Sequence, residues 1–412
     1  MLERVTEPVR MTVDTTRKCN LKCGYCHSSS GASYDGPELA GSDLRNIFEG
    51  AEKSKTFDIT LTGGEPMLWN GLEETMSASK DLDFPSVQLI TNATLINEKR
   101  VKVLKTGNLK RILVSLDGLP DIHDVNRGKG SFDKTIDGIQ ALREVVDNVT
   151  VISVVDKTNF DKWQELTSRL IKMGVKQHHL CPVCFAGRAM GQYNGLSEDQ
   201  FKDVRSKVDS ISGTLPSDFK LVFNDILINL PPVRSLSITA FVERYKGWHF
   251  SIRPNGKVDV LVKAWGRSWR ENETLGNIKE EKMIDLVERT KIQREDVVKS
   301  QFDHNEELRR KYHFDNPDSL AIESDRSDVQ AVENGLTEPI YAELADKEIQ
   351  IEEDKYDDIF LLPLPDTFKS IRKSIETNPD RFRLRKEKDF GFLFDRETFN
   401  VTLLTKQEVD RL

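Results

Sequence analysis

Six short apolar segments alternate with six amphipathic segments in the first half of the chain. This alternation of strand and helix patterns is typical of a parallel sheet with helices packed on it. It predicts an α/β fold, a partial (βα)6 barrel, with the functional groups at the carboxyl ends of the strands. The predicted strands are Val9–Asp14, Asp58–Thr62, Val87–Thr91, Arg111–Ser115, Val149–Val155 and Gln177–Leu180. The predicted helices are Ser42–Lys53, Leu72–Lys80, Asn97–Leu104, Phe132–Val146, Asn159–Met173 and Ser197–Ile211.

Composition and charge narrow the class of protein. Hydrophobic residues make up 37% of the 412-residue chain, and no apolar run reaches the roughly 18 residues of a membrane span. The net charge of −8 disfavours nucleic-acid binding, which needs a basic surface. The N-terminus lacks the apolar segment of a secretion signal, and the clustering of three cysteines favours a reducing compartment. We therefore expect a soluble cytoplasmic protein that binds neither membranes nor nucleic acids.

Three cysteines, Cys19, Cys23 and Cys26, follow the first predicted strand with the spacing C-x3-C-x2-C. Three thiolates on one short loop can each hold one iron of a [4Fe–4S] cluster, which leaves the fourth iron open for a substrate or cofactor. A zinc site with His27 as a fourth ligand is the alternative, although zinc usually binds paired C-x-x-C motifs. The loop therefore predicts a metal centre, and an iron–sulfur cluster in particular.

The cysteine spacing, with the aromatic Tyr25 just before the third cysteine, resembles that of the radical S-adenosylmethionine (SAM) enzymes. In that family a Gly-Gly-Glu-Pro element contacts the amino group of SAM, and the second predicted strand ends in Gly63-Gly64-Glu65-Pro66. The resemblance places this role on Gly63, Gly64 and Glu65, whereas a simple glycine turn is the alternative. It implies a radical SAM barrel with a [4Fe–4S] cluster and SAM as cofactors.

Polar side chains also end the third and fourth predicted strands. Asn92 follows the third strand, and hydroxyl and amide groups there suit ribose hydroxyls or a carboxylate. The Ser-Leu-Asp-Gly run that starts at Ser115 is similar to an element of radical SAM peptide-modifying enzymes, in which the serine and a later arginine hold the SAM carboxylate. The resemblance assigns Ser115, Asp117 and Arg127 to the SAM site. Helix capping is the alternative for Asn92, Ser115 and Asp117, since it uses the same atoms.

A second cysteine pair, Cys181 and Cys184, ends the sixth predicted strand. One interpretation is that one of these thiols donates a hydrogen atom to a substrate radical, as in radical epimerases. A second is that the pair binds an additional metal together with His178 or His179. The third is that both are small, partly buried side chains without a chemical role.

The segment 213–292 predicts a hairpin, Trp248–Ile252 with Lys257–Val262, and a helix at Glu280–Thr290. It resembles the auxiliary-cluster (SPASM/twitch) domain of radical SAM peptide maturases. No cysteine follows Cys184, so the auxiliary clusters have no thiolate ligands. We therefore expect a degenerate domain that keeps the hairpin and lacks the clusters.

The remaining chain is expected to divide into a charged helical or linker segment, 293–356, and a small β-rich extension, 357–412. Together with 213–292 they make a smaller α+β region after the core barrel, 1–212. The extended segments in 357–412 are predicted at Ile359–Pro365, Arg381–Leu384, Phe390–Phe394 and Val401–Leu404. The extension is faintly similar to domains that bind a leader peptide by adding a strand to a sheet. The alternative is that it packs on the barrel.

Together these features predict an enzyme that cleaves SAM reductively to a 5′-deoxyadenosyl radical, which abstracts hydrogen from a substrate. The resemblance favours a peptide as the substrate and implies an electron donor such as flavodoxin or ferredoxin. A small-molecule epimerase or dehydrogenase that uses Cys184 or Cys181 as hydrogen donor is the first alternative. The second is a scaffold without catalytic activity that binds a peptide or protein.

Overall fold

The computed structural model describes residues 7–183, 187–189, 195–223, 235–237, 249–261, 275–290, 368–387 and 390–412. Cys184, the predicted strand Ile359–Pro365 and the predicted linker 293–356 lie outside these residues. No helix in the described ranges is long and apolar enough to cross a membrane.

Seven parallel strands form the centre of the main sheet, and they lie side by side in chain order. All six predicted strands are present, with ends within two residues of the prediction, and a seventh follows them. The strands are β1 (Arg10–Asp14), β2 (Asp58–Thr62), β3 (Ser86–Thr91), β4 (Leu109–Ser115), β5 (Val149–Val155), β6 (Gln177–Pro182) and β7 (Lys220–Phe223).

Helices connect these strands, and all six predicted helices are confirmed. Asn97 and Ser197 cap their helices by accepting a hydrogen bond from a backbone amide. The predicted start at Asn159 is wrong because that side chain bridges the backbone of the preceding loop, and the helix begins at Trp163. The helices are α1 (Gly41–Lys53), α2 (Leu72–Ser79), α3 (Glu98–Leu104), α4 (Pro120–Arg127), α5 (Ser131–Leu142), α6 (Trp163–Lys172) and α7 (Glu198–Ser212); α4 was not predicted.

Alternate residues of each strand face opposite sides of the sheet. In β6, His178 and Leu180 are completely buried, and His178 Nδ1 lies 2.9 Å from Thr167 Oγ1 of α6, so these residues face the helices. Cys181 therefore faces the interior of the barrel. By the same alternation Ser115 of β4 faces the interior, because Val114 is buried in the core shared with the helices.

The predicted hairpin is confirmed in the described residues, as β9 (His249–Ile252) and β10 (Lys257–Leu261). It extends the main sheet, because β9 pairs with β1 in parallel and β10 pairs with the short β11 (Gly276–Asn277). Residues 283–290 form the predicted helix, α8. The Asn46 side chain of α1 binds this segment, donating to Ile278 O (2.9 Å) and accepting from Met283 N (2.9 Å). The domain boundary after residue 212 stays a prediction.

A second, antiparallel sheet consists of β8 (Ser235–Ser237), β12 (Phe382–Lys386), β13 (Phe390–Asp395) and β14 (Asn400–Thr405). The strand order is β12-β13-β14-β8. The helices nearby are α9 (Phe368–Thr377) and α10 (Lys406–Asp410). The strands β12, β13 and β14 correspond to three of the predicted extended segments, whereas α9 was not predicted.

The second sheet packs against the barrel at the amino-terminal ends of the strands. The rings of Phe394 and Phe57 stack with centroids 5.2 Å apart, and the buried Arg385 donates to the carbonyl oxygen of Pro8 (3.0 Å). Arg396 donates to Ser86 Oγ (3.0 Å). The β-rich extension therefore closes the end of the barrel opposite to the cysteine loop.

Candidate functional site

The three predicted cluster cysteines lie on the loop that follows β1, and all three are free thiols. Cys19 and Cys23 are buried, and Cys26 is half-buried. Burial raises the pKa of Cys19 to about 11, and negative charge on Cys23 and Cys26 adds to this effect. Three thiols on one short loop are the donor set of an iron–sulfur cluster, which would bind them as thiolates, so the residues present fit such a cluster.

The glycine pair after β2 lies directly against the cysteine loop. Gly64 N donates to Thr16 O (2.6 Å), and Glu65 N donates to Lys18 O (2.8 Å). A Cβ on Gly63, whose φ is +134°, would lie 2.3 Å from Thr16 O, and one on Gly64 would lie 2.2 Å from Lys18 O. Glycine is required here because the two backbones approach too closely for any side chain. This pair holds the cysteine loop, and its contact with SAM stays a prediction.

The Glu65 carboxylate is completely buried and ties the ends of β2 and β3 together. Its Oε1 accepts from Met67 N (3.0 Å) and Thr91 Oγ1 (2.7 Å), and its Oε2 accepts from Asn92 N (2.8 Å). Burial raises the pKa of Glu65, while these hydrogen bonds oppose the rise. The side chain therefore shapes the turn, and the predicted role toward SAM stays untested.

Asn92 connects the end of β3 to the cysteine loop. Its Nδ2 donates to Asn20 Oδ1 (3.0 Å) and lies 3.9 Å from Cys19 Sγ. Its Oδ1 accepts from Thr94 N (3.0 Å), and the cap of α3 is Asn97. Helix capping therefore does not explain Asn92, which lies beside a proposed cluster ligand.

Asp117 and Arg127, both assigned to the SAM site by resemblance, form a buried ion pair. Arg127 Nε and Nη2 donate to the two carboxylate oxygens at 2.8 and 3.0 Å. The carboxylate also accepts from the Tyr25 hydroxyl and from Val154 N (3.1 Å). Burial alone would raise the pKa of Asp117, but the Arg127 charge and its hydrogen bonds lower it. Four protein donors therefore occupy this carboxylate.

This network changes what the two residues offer to a ligand. Asp117 caps no helix, since the residue before α4 makes no side-chain cap bond, and it instead orients Arg127 and Tyr25. Arg127 keeps Nη1 outside the ion pair. The Ser115 hydroxyl is half-buried and makes no hydrogen bond to another described residue. Their assignment to the SAM site stays a prediction.

The sequence did not reveal the bond between Tyr25 and Asp117, which are 92 residues apart. The available signal was that a buried tyrosine hydroxyl needs a polar partner. It also missed Arg188, which binds the cysteine loop from the segment after β6. That arginine follows Gly187, and a glycine beside a charged residue is too common a pattern to assign a role.

The residues at the end of β6 differ in their surroundings. His178 is buried between Ser153 Oγ (2.8 Å) and Thr167 Oγ1 (2.9 Å), and burial lowers its pKa to about 3. Burial raises the pKa of the half-buried Cys181 to about 12. Among the described residues no group of three or more His, Cys, Asp or Glu side chains is arranged to hold a metal ion. His178 is therefore a structural residue.

The sequence pattern of the radical SAM superfamily matches residues 13–170. This stretch holds all three loop cysteines, the glycine pair and Arg127. The chain therefore contains a radical SAM domain. Proteins of this superfamily use a [4Fe–4S] cluster and SAM, the cofactors that the sequence predicts.

Two curated proteins illustrate the similarity of the radical SAM domain to known sequences. The sporulation killing factor maturation protein SkfB of Bacillus subtilis is 29% identical over 209 residues, which are 48% of this chain and 50% of SkfB. A probable GTP 3′,8-cyclase of Saccharolobus solfataricus is 27% identical over 215 residues, 52% of this chain and 68% of that protein. The chain thus spans only half the length of SkfB.

Solved structures share the fold. SuiB of Streptococcus suis, bound to S-adenosylmethionine, superposes with a TM-score of 0.55 at 18% identity over 68% of this chain and 65% of SuiB. AdoMet-bound anSMEcpe superposes with a TM-score of 0.51 at 18% identity over 69% of this chain and 81–82% of that protein. The predicted α/β fold with a radical SAM barrel is therefore confirmed.

Proposed function

We propose that this protein is a radical SAM enzyme that modifies a peptide. The observation that carries the proposal is the cysteine loop, because its backbone is bonded to the turn after β2 and Cys19 is approached by Asn92 from β3. These bonds hold the backbone of the loop at the carboxyl end of the sheet, where the functional groups of such a fold lie.

The residues of the loop supply three of the ligands that a [4Fe–4S] cluster needs. Cys19, Cys23 and Cys26 would each bind one iron as a thiolate, and Asn92 Nδ2 would place a donor beside the Cys19 sulfur. When bound, the cluster and SAM supply one-electron cleavage of the sulfonium and a 5′-deoxyadenosyl radical that abstracts hydrogen. The protein binds and orients the cluster, SAM and the substrate, and it excludes water.

The strand ends would hold SAM. Ser115 offers a free hydroxyl and Arg127 its Nη1 to the SAM carboxylate, while Asp117 keeps the guanidinium in place through two hydrogen bonds. Gly63 and Gly64 would offer backbone groups of the turn after β2 to the amino group of SAM. Each role follows from the resemblance and from the position of the residue at the carboxyl end of the sheet.

A peptide substrate is supported by two relatives. SkfB is named for the maturation of the sporulation killing factor, and SuiB has been crystallised with the precursor peptide SuiA at a TM-score of 0.56 to this chain. The proposed domains are the barrel 1–212, a twitch-like domain 213–292 without clusters, the segment 293–356 and the extension 357–412. We also propose flavodoxin or ferredoxin as the electron donor.

The first experiment measures 5′-deoxyadenosine formed by protein that has been reconstituted with iron and sulfide and reduced with dithionite. The wild type should bind about four irons and form the product with SAM, whereas Cys19→Ala/Cys23→Ala/Cys26→Ala should do neither. Asn255→Ala, in the hairpin turn, is a matched control outside the proposed site. No bound iron in the wild type would refute the proposal. About eight irons per protein would refute the prediction that the auxiliary clusters are missing. Bound iron with no 5′-deoxyadenosine, even with peptides present, would favour the alternative that the protein is a scaffold without catalytic activity.

A second candidate, hydrogen-atom donation by a cysteine to a small molecule, is favoured by the environment of Cys181. Cys181 faces the interior of the barrel, and burial raises its pKa to about 12, which favours the S–H form that carries a hydrogen atom. The thiol would give this atom to a substrate carbon radical, and the sulfur radical would then take one electron from the donor protein and one proton. The similar GTP 3′,8-cyclase is named for a nucleotide substrate.

Cys181→Ala separates the two candidates. In a hydrogen-donor enzyme this variant should still form 5′-deoxyadenosine and lose the deuterium that the wild-type product takes up from D2O. The same test applies to Cys184→Ala. Unchanged deuterium uptake in both variants would reject hydrogen donation by this cysteine pair.

A further inference from the structure

Arg188 binds the cysteine loop through three carbonyl oxygens. Its Nε donates to Cys23 O (2.9 Å), its Nη1 donates to Ser30 O (2.7 Å), and its backbone N–H donates to Cys26 O (3.0 Å). The bonded carbonyls span eight residues of the loop, from Cys23 to Ser30. One residue after β6 thus holds the two ends and the middle of the segment that carries two of the proposed ligands.

Gly187 allows this approach. Its φ is +58°, and a Cβ there would lie 2.4 Å from His27 O and 2.6 Å from Cys26 O. On the other side of Arg188, Ala189 is completely buried in a small apolar cluster with Cys23 and Tyr25. Residues 187–189 therefore cover the loop at van der Waals distance.

Arg188 supplies hydrogen-bond donors to carbonyl oxygens of the cysteine loop. Buried carbonyl oxygens need hydrogen-bond donors, and here Arg188 supplies donors on the side from which it approaches. Thiolates need N–H groups near the sulfur rather than carbonyl oxygens, and Leu21 N lies 3.5 Å from Cys19 Sγ. The carbonyl oxygens of Cys23, Cys26 and Ser30 are thus bonded by Arg188, which fixes the course of the loop.

The Arg188 charge also reaches the ligands. The guanidinium lies beside a proposed ligand residue, since Arg188 Nε is 2.9 Å from the carbonyl oxygen of Cys23. Reduction adds one negative charge to a cluster, so a nearby cation stabilises the reduced form and raises the reduction potential.

We propose that Arg188 is a positioning residue for the iron–sulfur cluster, which anchors the loop through its carbonyls and raises the reduction potential through its charge. The inference rests on the proposed iron–sulfur function for its second part. The anchoring part concerns the protein without a cluster and can be tested separately.

Three variants separate the two roles. Arg188→Gln removes the charge and most of the donors, Arg188→Lys keeps the charge with one nitrogen donor group, and Gly187→Ala keeps the arginine and forces the segment off the loop. Arg45→Gln is the control, because it removes one exposed arginine from the outer helix α1. Hydrogen exchange of strand β3 in each apo-protein reports whether the variant remains folded.

Anchoring is tested by amide hydrogen exchange of residues 19–31 in the full-length apo-protein. All three variants should lose protection in this loop while β3 stays protected, and Arg45→Gln should match the wild type. After reconstitution, iron release to a chelator should be at least about tenfold faster in the three variants. Wild-type protection of the loop in both Arg188→Gln and Gly187→Ala would overturn the anchoring role.

The charge role is tested by redox titration of the reconstituted proteins, monitored by electron paramagnetic resonance. The midpoint potential of Arg188→Gln should shift to a more negative value, whereas those of Arg188→Lys and Arg45→Gln should stay at that of the wild type. Equal midpoint potentials in Arg188→Gln and Arg188→Lys would overturn the charge role of Arg188. A wild type that binds no iron would refute the proposed function and the charge role, while the exchange measurement would still decide the anchoring role.

Discussion

The strongest energetic prediction concerns Asp117, whose carboxylate holds Arg127, Tyr25 and the backbone of Val154 together. In Asp117→Asn the side chain keeps its shape, but it loses its charge and turns an NH2 group toward groups that are themselves donors. Arg127, which is only 9% exposed, then becomes a buried cation without a compensating charge.

The loss of folding free energy follows from the burial of both partners, because the Arg127 side chain is 8% exposed and the Asp117 side chain 0%. Removing one partner of a buried ion pair costs about 3–5 kcal/mol, because the remaining charge stays desolvated. That is a large share of the roughly 5–15 kcal/mol by which a folded domain is stable. The pKa of Asp117 is lowered in the folded protein, so its contribution is present above the unfolded pKa of about 3.9 and is lost as the pH falls through the folded pKa.

The assay is urea unfolding of the apo-protein at pH 7 without oxygen, followed by circular dichroism. Asp117→Asn should lower the free energy of unfolding by about 3–5 kcal/mol. In Asp117→Leu/Arg127→Met the cost should be much smaller, because both charges are gone. Arg45→Ala breaks an exposed pair with Glu74 and should change the free energy by about 1 kcal/mol or less.

A loss of less than about 1 kcal/mol in Asp117→Asn would refute this account, since an exposed pair contributes that much. It would mean that Asp117 does not hold Arg127 in the apo-protein. The carboxylate would then be available to a ligand, as a direct contact of Asp117 with SAM requires.

Three further predictions concern other parts of the molecule. Gly64→Ala should bind much less iron than Gly213→Ala after reconstitution, because only the first Cβ meets a backbone oxygen, Lys18 O at 2.2 Å. In the wild type His178 has a folded pKa of about 3, so between pH 6.5 and 4 it is protonated in the unfolded state and stays neutral in the folded state. The slope of the free energy of unfolding against pH in this range should therefore be smaller in His178→Asn by about 1.4 kcal/mol per pH unit. Phe399→Ala should cost about 3–5 kcal/mol in urea unfolding, because the ring is 1% exposed; Val125→Ala, at an 81% exposed position, is the control. A pH slope unchanged in His178→Asn, or a Phe399→Ala cost below 1 kcal/mol, would contradict these burial arguments.

The sequence by itself determined the strands and helices of the barrel and the chemistry of the cysteine loop. Strands such as Asp58–Thr62 and Val149–Val155 were predicted to the residue, because a short apolar run bounded by turn residues is a local signal. The cluster ligands were equally local, since three cysteines within eight residues define their own loop. The hairpin at Asn255 was found for the same reason, as its turn residues lie next to each other.

Only the tertiary structure decided which residues meet. The sequence placed Asp117 and Arg127 on a ligand, and the fold pairs them with each other and with Tyr25. It also places β9 beside β1, where Thr12 and His249 bond across 237 residues, and brings Arg188 to the cysteine loop across 165 residues. The physical reason is that hydrogen bonds and charge pairs depend on distances in space, whereas periodicity and turn chemistry describe neighbours along the chain. Which buried donor finds which acceptor is settled only when strands and loops far apart in the chain come to lie at the same edge of the sheet.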